Sequence, residues 1–532
     1  MNKLVAALST AGLLAGGLIA GLPAQAAPAA PASAQINWGP CTSETLQSVH
    51  AQCGMLAVPM DYSKPNGKKI SLAVSRVRHT VPDSQYQGVM LVNPGGPGGS
   101  GLTLSVLAKY VPKGAGNAYD WIGFDPRGVG SSRPAIHCES GYFDYGRPNY
   151  IPFTTKSDNE WATRSKRYAQ DCGRKYGALL DNMKTTDSVA DMESIRKALG
   201  AKQINYYGFS YGTYLGQVYS TLHPNRVRRM VLDSNVDPRK VWYQANIDQN
   251  IAFDRNIKIW FSWVAKYDNV FHLGKTESSV EHLWYAERAK LTRHPAAGKI
   301  GPNEWTDIFL QAGYYRFGWK QIGHAFADYV KSGKTQQLLD LYAPNLTAAN
   351  ENEFAVYNAV QCTDKQVPGA NRQFLDNWTT YTRAPFETWD NARFNEPCQY
   401  WPAKAGTPTK VNGSKVKSAL LIDEELDAAT PYPGSLEVRK LYPHSSLIAE
   451  PGGATHADSL SGDACVDNQV ADYLATGKLP ARKSGNRADT LCKPLPDPVP
   501  SNSGAAAAAQ PSAGNAAQRD LASLRVAATP KF

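Results

Sequence analysis

The sequence predicts an α/β fold in which a mainly parallel sheet is interrupted by a helical lid insertion. Short apolar runs recur along the chain, as expected of strands buried on both faces. Helical spacing over Thr186–Leu199 separates two of these runs, and such alternation implies parallel pairing. After residue 235 the pattern becomes helical and rich in Trp, Tyr and Phe, and apolar strands resume only near residue 418. The helical stretch is therefore predicted to be an insertion in the sheet domain.

The domain boundaries follow from these changes of pattern. Residues 35–235 form the first part of the core, 236–380 the helical lid and 381–500 the second part of the core, and 501–532 form an Ala-rich tail whose composition predicts disorder. The predicted strands are Gly88–Asn93, Trp121–Asp125, Ile204–Phe209, Val227–Asp233, Ser418–Asp423 and Ser445–Glu450. Aromatic residues at helical spacing, as in Ile257–Tyr267 and Thr306–Tyr329, mark the lid.

Length, composition and charge exclude several classes of protein. A chain of 532 residues exceeds one minimal domain, and 42% hydrophobic with 19% charged residues indicates a folded rather than a disordered protein. The formal net charge of +10 is spread along the chain without a run of five like charges. Nucleic acid is therefore not a predicted partner.

The N-terminal 34 residues predict export. Lys3 precedes an apolar stretch, Leu4–Leu22, and an Ala-x-Ala site that allows cleavage after Ala26 or, further on, after Ala34. A membrane anchor is the alternative, but glycines within the stretch and small residues after it favour cleavage. We thus predict a signal peptide and short linker over residues 1–34, and a secreted, extracellular protein without stable membrane association.

The cysteine pattern predicts disulfides. The chain has eight cysteines and no C-x-x-C pair, which argues against a zinc ribbon or a thioredoxin-like site. An even number in an exported protein indicates disulfide bonds. Spacing leaves the connectivity open, and the simplest arrangement joins sequence neighbours: Cys41–Cys53, Cys138–Cys172, Cys362–Cys398 and Cys465–Cys492.

A serine follows the strand Ile204–Phe209 in a setting typical of a nucleophile. The segment Gly208–Gly212 reads G-x-S-x-G between this strand and a helical stretch. In the α/β-hydrolase fold such a turn exposes the serine hydroxyl above the sheet, and the flanking glycines let strand and helix approach closely. Ser210 is therefore the predicted catalytic nucleophile.

The glycine-rich loop after Gly88–Asn93 has two possible functions. It contains G-x-G-x-x-G at Gly96, Gly98 and Gly101, and Asp125 ends the next strand, which together would suit a dinucleotide site. Prolines at positions 94 and 97 remove amide donors from the loop and oppose that function.

An oxyanion hole is the favoured function of the loop. An α/β hydrolase needs a glycine-rich segment after its third strand that donates one backbone N–H to an oxyanion. The second donor is the N–H of the residue after the nucleophile. The predicted donors are Gly96 and Tyr211.

Position relative to the predicted strands identifies the histidine of the triad, but several acidic residues remain candidates for the acid. In this fold the acid and the histidine follow the serine in that order. His444 precedes the strand Ser445–Glu450, whereas His456 follows it, at the same edge of the sheet as Ser210, so His456 is the predicted base. The acidic residues just after the preceding strand are Asp423, Glu424, Glu425 and Asp427.

Several motifs together resemble those of secreted bacterial tripeptidyl aminopeptidases, which are α/β-hydrolase serine exopeptidases related to prolyl aminopeptidases. They are NPGGPGGSG, FDPRGVGSS, GFSYGT, ELDAATP and GGATH, and the likeness runs from about Trp38 to Cys492. The resemblance implies that the acid is Asp427, in the L-D-x-x-T-P turn. The sequence departs from the family at Ile422–Glu425 and at Ala454–Thr455, but both departures leave Asp427 and His456 in place.

The resemblance implies a secreted serine aminopeptidase that releases tripeptides from peptide or protein N-termini through a Ser210–His456–Asp427 triad, without a metal or an organic cofactor. A secreted carboxylesterase or lipase needs the same triad and is the alternative. A non-catalytic binding protein on the same scaffold is disfavoured by the complete triad. The sequence does not predict an oligomeric state.

Recognition of a free amine requires a negative group at the closed end of the cleft. The lid is expected to cover Ser210 and to close one end, where a buried ammonium is costly unless paired. The predicted substrate-binding carboxylates are Glu351, Glu353, Asp364, Glu424 and Glu425.

Overall fold

The structure is a computed structural model that describes residues 35–501. The predicted signal peptide and linker lie outside the described residues, as does the predicted tail beyond Ser501.

Within residues 35–501, ten strands form one sheet in the order β1-β2-β3-β5-β4-β6-β7-β8-β9-β10. The strands are β1 Gly39–Pro40, β2 Gln52–Pro59, β3 Lys69–Val77, β4 Val89–Asn93, β5 Asp120–Phe124, β6 Ile204–Phe209, β7 Val227–Asp233, β8 Ala419–Glu424, β9 Ser445–Glu450 and β10 Thr490–Leu491. All neighbours from β5 to β10 in this order pair in parallel, whereas β1, β2, β3 and β5 pair antiparallel. The prediction of a mainly parallel sheet is confirmed, and each predicted strand is present with its ends shifted by at most one residue.

Helices cover the sheet and fill the insertion. They are α1 Glu44–Gln47, α2 Thr155–Leu180, α3 Thr185–Ala198, α4 Tyr211–Leu222, α5 Tyr243–Lys266, α6 Asp268–Phe271, α7 Glu277–Leu291, α8 Pro302–Tyr314, α9 Trp319–Ser332, α10 Gln336–Tyr342, α11 Ala348–Asp364, α12 Ala370–Tyr381, α13 Thr388–Asn395, α14 Pro433–Leu441 and α15 Ala464–Thr476. The predicted helix Thr186–Leu199 corresponds to α3. The aromatic stretch Thr306–Tyr329 is two helices, because the chain forms a 3₁₀ turn at Arg316–Gly318.

The insertion between β7 and β8 has its own aromatic core. Large rings such as Trp260, Trp284 and Trp305 are fully buried there and pack against Phe309 and Phe326. Burial of rings of this size dominates the stability of a helical core. The helices α5–α10 share this core, whereas α11 packs its apolar residues into the core of the sheet domain.

Helices continue past residue 380, the expected end of the lid. Residue 380 lies inside α12, and α13 follows it. Trp389 of α13 is buried and packs on Trp378 of α12, so the two helices belong to one packed unit. The segment from residue 381 to β8 was expected to belong to the core. Its first part, the end of α12 and all of α13, instead belongs to the helical insertion.

Four disulfide bonds join the sequence neighbours as predicted: Cys41–Cys53, Cys138–Cys172, Cys362–Cys398 and Cys465–Cys492. Among the described residues, no cysteine is free. One bond ties α11 to the turn that follows α13, so it fastens the end of the insertion to its middle. Bonds of this kind typically stabilise a protein by about 2–4 kcal/mol each and are a feature of oxidising compartments.

Between residues 35 and 501, none of the helices combines the length and the apolar character needed to span a lipid bilayer.

Candidate active site

Ser210 occupies a sharp turn between β6 and α4. Its backbone has φ 55° and ψ −127°, a region in which residues other than glycine are strained by about 1–3 kcal/mol. The surrounding structure holds this conformation, because the Ser210 N–H donates to the carbonyl of Asp233 at 3.0 Å. The turn places Ser210 at the carboxyl edge of the parallel sheet, where sites form in this class of fold.

Two glycines permit this turn. A Cβ at Gly208 would lie 2.6 Å from the carbonyl oxygen of Gly212, and a Cβ at Gly212 would lie 2.6 Å from that of Asn93. Both separations are shorter than any real Cβ contact. Only glycine at both positions therefore lets α4 pack so close to β4 and β6.

Asp427 and His456 form a buried pair beyond β8 and β9. Asp427 Oδ2 lies 2.7 Å from Nδ1 of His456, and both side chains are almost inaccessible to solvent. The second oxygen, Oδ1, accepts the backbone N–H of Ala429 at 2.8 Å and that of Thr430 at 3.1 Å. Burial alone would raise the pKa of Asp427, but the adjacent His456 ring outweighs it and lowers that pKa below its ordinary value.

This pairing determines which nitrogen of His456 is free. An anionic Asp427 accepts a proton from Nδ1, so Nε2 is left as the acceptor of the neutral ring. Within residues 35–501, Nε2 of His456 is buried and has no hydrogen-bond partner. The arrangement can take a proton from a hydroxyl brought to Nε2.

Two lid helices fasten the acid turn and the histidine loop. Asn256 of α5 donates from Nδ2 to the carbonyl of Leu426 at 2.9 Å and to that of Gly313 at 3.1 Å. The N–H of His456 donates to the carbonyl of Tyr314 at 2.9 Å, and the ring of Tyr314 stands edge-on to the imidazole at 5.9 Å. Asn256 and Tyr314 could not be predicted as part of the site, since neither belongs to a recognisable sequence motif.

The other predicted acids do not pair with the histidine. Asp423 accepts a hydrogen bond from Ser435 at 2.5 Å, and burial together with the nearby Asp427 raises the pKa of Asp423 well above its ordinary value. Asp423 is therefore engaged by Ser435, whereas Asp427 is the carboxylate that meets His456. His444 is exposed at the start of β9, at the opposite edge of the sheet from Ser210.

The predicted oxyanion donors lie beside the serine. Gly96 and Tyr211 line the same cavity as Ser210. Neither backbone N–H donates to another group among the described residues. Two free amides next to a hydroxyl nucleophile can stabilise a negatively charged oxygen.

The dinucleotide alternative does not fit the structure. Asp125 is buried, and its carboxylate accepts Ser100 Oγ at 2.6 Å and the N–H of Ser131 at 2.7 Å. Asp125 therefore joins two loops through these hydrogen bonds, and its carboxylate is not accessible to a ribose. The loop is followed by a 3₁₀ segment, Leu102–Tyr110, rather than by the α-helix whose N-terminus would hold a pyrophosphate.

A cavity of about 420 Å³ lies between Ser210 and the lid. Its wall is mixed aromatic and amide, which suits a peptide that has apolar side chains and a polar backbone. Aromatic and amide residues that line it are Trp242, Asn246, Phe253, Tyr314, Tyr357, Gln361, Asn391 and Phe394. Two buried carboxyl groups, those of Glu387 and Asp390, also line it.

These two carboxyl groups have unusual electrostatics. Burial, with Asp390 and Asp254 nearby, raises the pKa of Glu387 well above its ordinary value. Burial and the neighbouring Asp307 do the same to Asp390, whose Oδ2 has no hydrogen-bond partner within residues 35–501. Burial therefore disfavours negative charge on these two groups, and a cation bound beside them would stabilise their ionised forms.

None of the five predicted substrate carboxylates lines this cavity. Glu351 accepts the N–H of Cys138 at 2.8 Å and the hydroxyl of Tyr168 at 2.9 Å. Asp364 accepts the N–H of Thr185 at 2.7 Å, and burial raises the pKa of Asp364 to about 6. Glu353 lines a separate cavity, and Glu425 lines none of the larger ones. Glu387 and Asp390 were missed because they lie beyond residue 380, where the lid was expected to end.

The fifth predicted carboxylate, Glu424, belongs to an acidic cluster behind the histidine loop. In the described part of the chain, Glu424, Glu450 and Asp458 bring ligand atoms within 4.8 Å of one another, close enough to share a cation. Burial and mutual repulsion raise the pKa of Glu424 well above its ordinary value and that of Glu450 to about 11. Glu424 also accepts the N–H of Thr455, so the cluster links the acid turn to the histidine loop.

This cluster predicts a stability that falls with rising pH. Because the folded-state pKa of Glu450 is raised from 4.5 to about 11, its stabilising effect is complete below pH 4.5 and is lost as pH rises towards 11. The melting temperature should therefore decrease as the pH is raised from about 5 to about 9. The variant Glu450→Gln should make this dependence on pH weaker. The same scan on Glu44→Gln, at an exposed glutamate, is the control. An unchanged slope in Glu450→Gln would contradict the prediction.

Fold and site together define the chain as an α/β hydrolase. A family model described as alpha/beta hydrolase fold matches residues 88–318, and one described as TAP-like protein matches residues 384–492. The tripeptidyl aminopeptidase of Streptomyces lividans is 42% identical over 485 residues, which cover 88% of each chain. The chain therefore belongs to the tripeptidyl aminopeptidase family, which confirms the resemblance seen in its motifs.

More distant relatives are also hydrolases. The serine protease Hip1 of Mycobacterium tuberculosis is 29% identical over 89% of this chain and 95% of that protein. A protein named carboxylesterase B from the same species is 29% identical over 90% of this chain and 97% of its own length.

Proposed function

We propose that this protein is a secreted serine aminopeptidase that removes tripeptides from free N-termini. One observation carries the proposal: a strained serine and two buried carboxyl groups line one cavity, and Tyr314, which also lines it, contacts His456 of a buried Asp–His pair. The family relationship and the mixed aromatic and amide wall support a peptide substrate. Export is supported by the disulfide bonds and by the predicted signal peptide.

Acyl transfer would proceed as follows. His456 Nε2 takes the proton of Ser210 Oγ while that oxygen attacks the scissile carbonyl, and Asp427 stabilises the imidazolium that forms. The N–H groups of Gly96 and Tyr211 donate to the oxyanion, an interaction typically worth about 3–4 kcal/mol per donor. The imidazolium then protonates the leaving amine, the C–N bond breaks, and water hydrolyses the acyl-enzyme by the same steps.

Selection of a free amine would rest on Glu387 and Asp390. Both groups are buried and have raised pKa values in the empty cavity. An ammonium bound between them would favour ionisation of at least one, so that a buried charge pair forms only with a free N-terminus. An acylated N-terminus lacks the charge and would leave the carboxyl groups without a partner.

Amine selection is tested with one tripeptide p-nitroanilide in free and N-acetylated form. Acetylation should lower kcat/KM on the order of 100-fold, since losing one partner of a buried charge pair costs about 2–5 kcal/mol. The variant Glu387→Gln should lower kcat/KM for the free substrate and shrink the ratio between the two. Asp248→Asn, at a second acid that lines the cavity but pairs with Lys240, should leave the ratio unchanged. Equal cleavage of both substrates by the unaltered enzyme would refute amine selection.

A secreted carboxylesterase is the second candidate, because the relative named carboxylesterase B covers 90% of the chain. Ester cleavage needs the same serine and histidine but no ammonium partner. Short acyl p-nitrophenyl esters, assayed beside the tripeptide substrates, separate the two. A higher kcat/KM for the esters would favour the esterase.

A further inference from the structure

A second cavity adjoins the oxyanion loop at Gly98 and Ser100. It has a volume of about 370 Å³, and its walls include Gly98, Ser100, Thr347, Ala349 and Glu353. The cavity at Ser210 reaches the same loop at Gly96, two residues earlier. The two cavities therefore flank one short stretch of backbone, with the oxyanion donor at its start.

The wall of this second cavity is preformed. Asn352 of α11 accepts the N–H of Gly130 at 2.8 Å, and its Nδ2 donates to the carbonyls of Gly128 and Ile136 at 2.8 Å each. These bonds tie the lid to the sheet domain beside the cavity. At the start of α11, Ala348 and Ala349 are exposed and small, so they leave room for a chain to lie against the helix.

A third cavity, of about 240 Å³, adjoins the second at Pro344, which lines both. Its wall is mixed: Tyr315, Phe317 and Leu341 supply apolar surface, and residues such as Gln311 and Asp340 supply polar groups. Phe317 is 49% exposed, in contrast to the buried phenylalanines of the lid core. The exposed ring is available for apolar contact with a chain that lies in this cavity.

A ladder of rings connects this surface to the candidate active site. Phe317 stacks on Tyr315 at 4.9 Å, Tyr315 on Tyr314 at 5.6 Å, and Tyr314 stands edge-on to His456 at 5.9 Å. His456 is the group that would protonate the leaving amine. The ladder therefore runs from the reacting nitrogen to the exposed ring.

We propose that the second and third cavities form one groove, which binds the polypeptide on the C-terminal side of the scissile bond. The inference rests on the proposed function: if the cavity at Ser210 encloses the N-terminal tripeptide, the leaving chain lies on the side of His456, which protonates its amine. The rings from Tyr314 to Phe317 lead from there to the third cavity. The occupant is an extended polypeptide with apolar side chains near the cleavage site. The enzyme would thus favour long peptides and protein N-termini over tripeptides that carry a small leaving group.

The test compares two substrates with the same N-terminal tripeptide, one ending in p-nitroanilide and one extended by a short apolar peptide. Phe317→Ala should lower kcat/KM for the extended peptide on the order of tenfold, the usual effect of one apolar contact, and leave the p-nitroanilide unaffected. Ala349→Trp, which fills the groove, should act in the same direction. Phe153→Ala, at an aromatic residue 66% exposed elsewhere, is the matched control and should affect neither substrate.

The outcomes separate the groove from the proposed function. If the unaltered enzyme cleaves the p-nitroanilide but both variants process the two substrates like wild type, the groove is wrong and the aminopeptidase stands. If the variants lose activity on both substrates equally, the residues are structural and the groove is also wrong. If the unaltered enzyme cleaves neither peptide substrate, the proposed function fails and the groove with it.

Discussion

Replacing Ser210 with alanine is expected to lower turnover of a tripeptide p-nitroanilide by about 10⁶-fold, because the members of a catalytic triad act as a unit. The variant should fold normally. The hydroxyl is not needed for the turn, which is held by the Ser210 N–H to Asp233 bond and by the glycines on either side. The measurement is kcat under saturating substrate, with circular dichroism and thermal melting to establish that the fold is intact.

A serine in the same helix provides the control for this variant. Ser220 of α4 is buried and lies 2.8 Å from the hydroxyl of Tyr442, away from the cavity. Ser220→Ala should retain nearly full turnover with some loss of stability. If Ser210→Ala also retained turnover, Ser210 could not be the nucleophile, and the mechanism proposed above would be wrong.

The central strands could be predicted because they are buried on both faces. Every residue of β4, β6 and β9 is buried, so each strand appears in the sequence as an unbroken run with few charges. The antiparallel strand β2 lies near the edge of the sheet, and several of its residues are exposed. Without such a run, the sequence of β2 does not differ enough from a loop for the strand to be predicted.

The C-terminal end of the lid could not be predicted, because buried aromatic residues occur both in its last helix and in the sheet domain. Trp389 and Phe394 are buried against other helices of the insertion, but short aromatic stretches of this kind also occur in the sheet domain. Contacts with α12 and with α5, where Asn391 donates to Asn246 and Asn250, assign α13 to the helical unit. The same error hid Glu387 and Asp390, whose position in the cavity depends on how α13 packs rather than on any local motif.

Spacing in the sequence limits the acid of the triad to a few residues but does not choose between them. Asp423 and Asp427 both follow β8 closely, and residue patterns left the choice open. The structure separates them through neighbours distant in sequence: Asp423 meets Ser435, whereas the turn after β8 brings Asp427 to His456. Electrostatics then reinforces the difference, because the pKa of Asp423 is raised and that of Asp427 is lowered.

Two matched variants, Asp427→Asn and Asp423→Asn, test which carboxylate belongs to the triad, and we expect them to differ greatly in kcat. Asp427→Asn should lower kcat by about 10⁴-fold, since a neutral amide donates to Nδ1 and leaves the proton on Nε2, where it blocks acceptance from Ser210. Asp423→Asn should change kcat by no more than a few-fold, because Asp423 is hydrogen-bonded to Ser435 and does not contact His456. Both variants keep the size of the side chain, so thermal melting should show that each folds. If Asp423→Asn were the more damaging of the two, the acid of the triad would be Asp423, and the turn after β8 would have to rearrange when substrate binds.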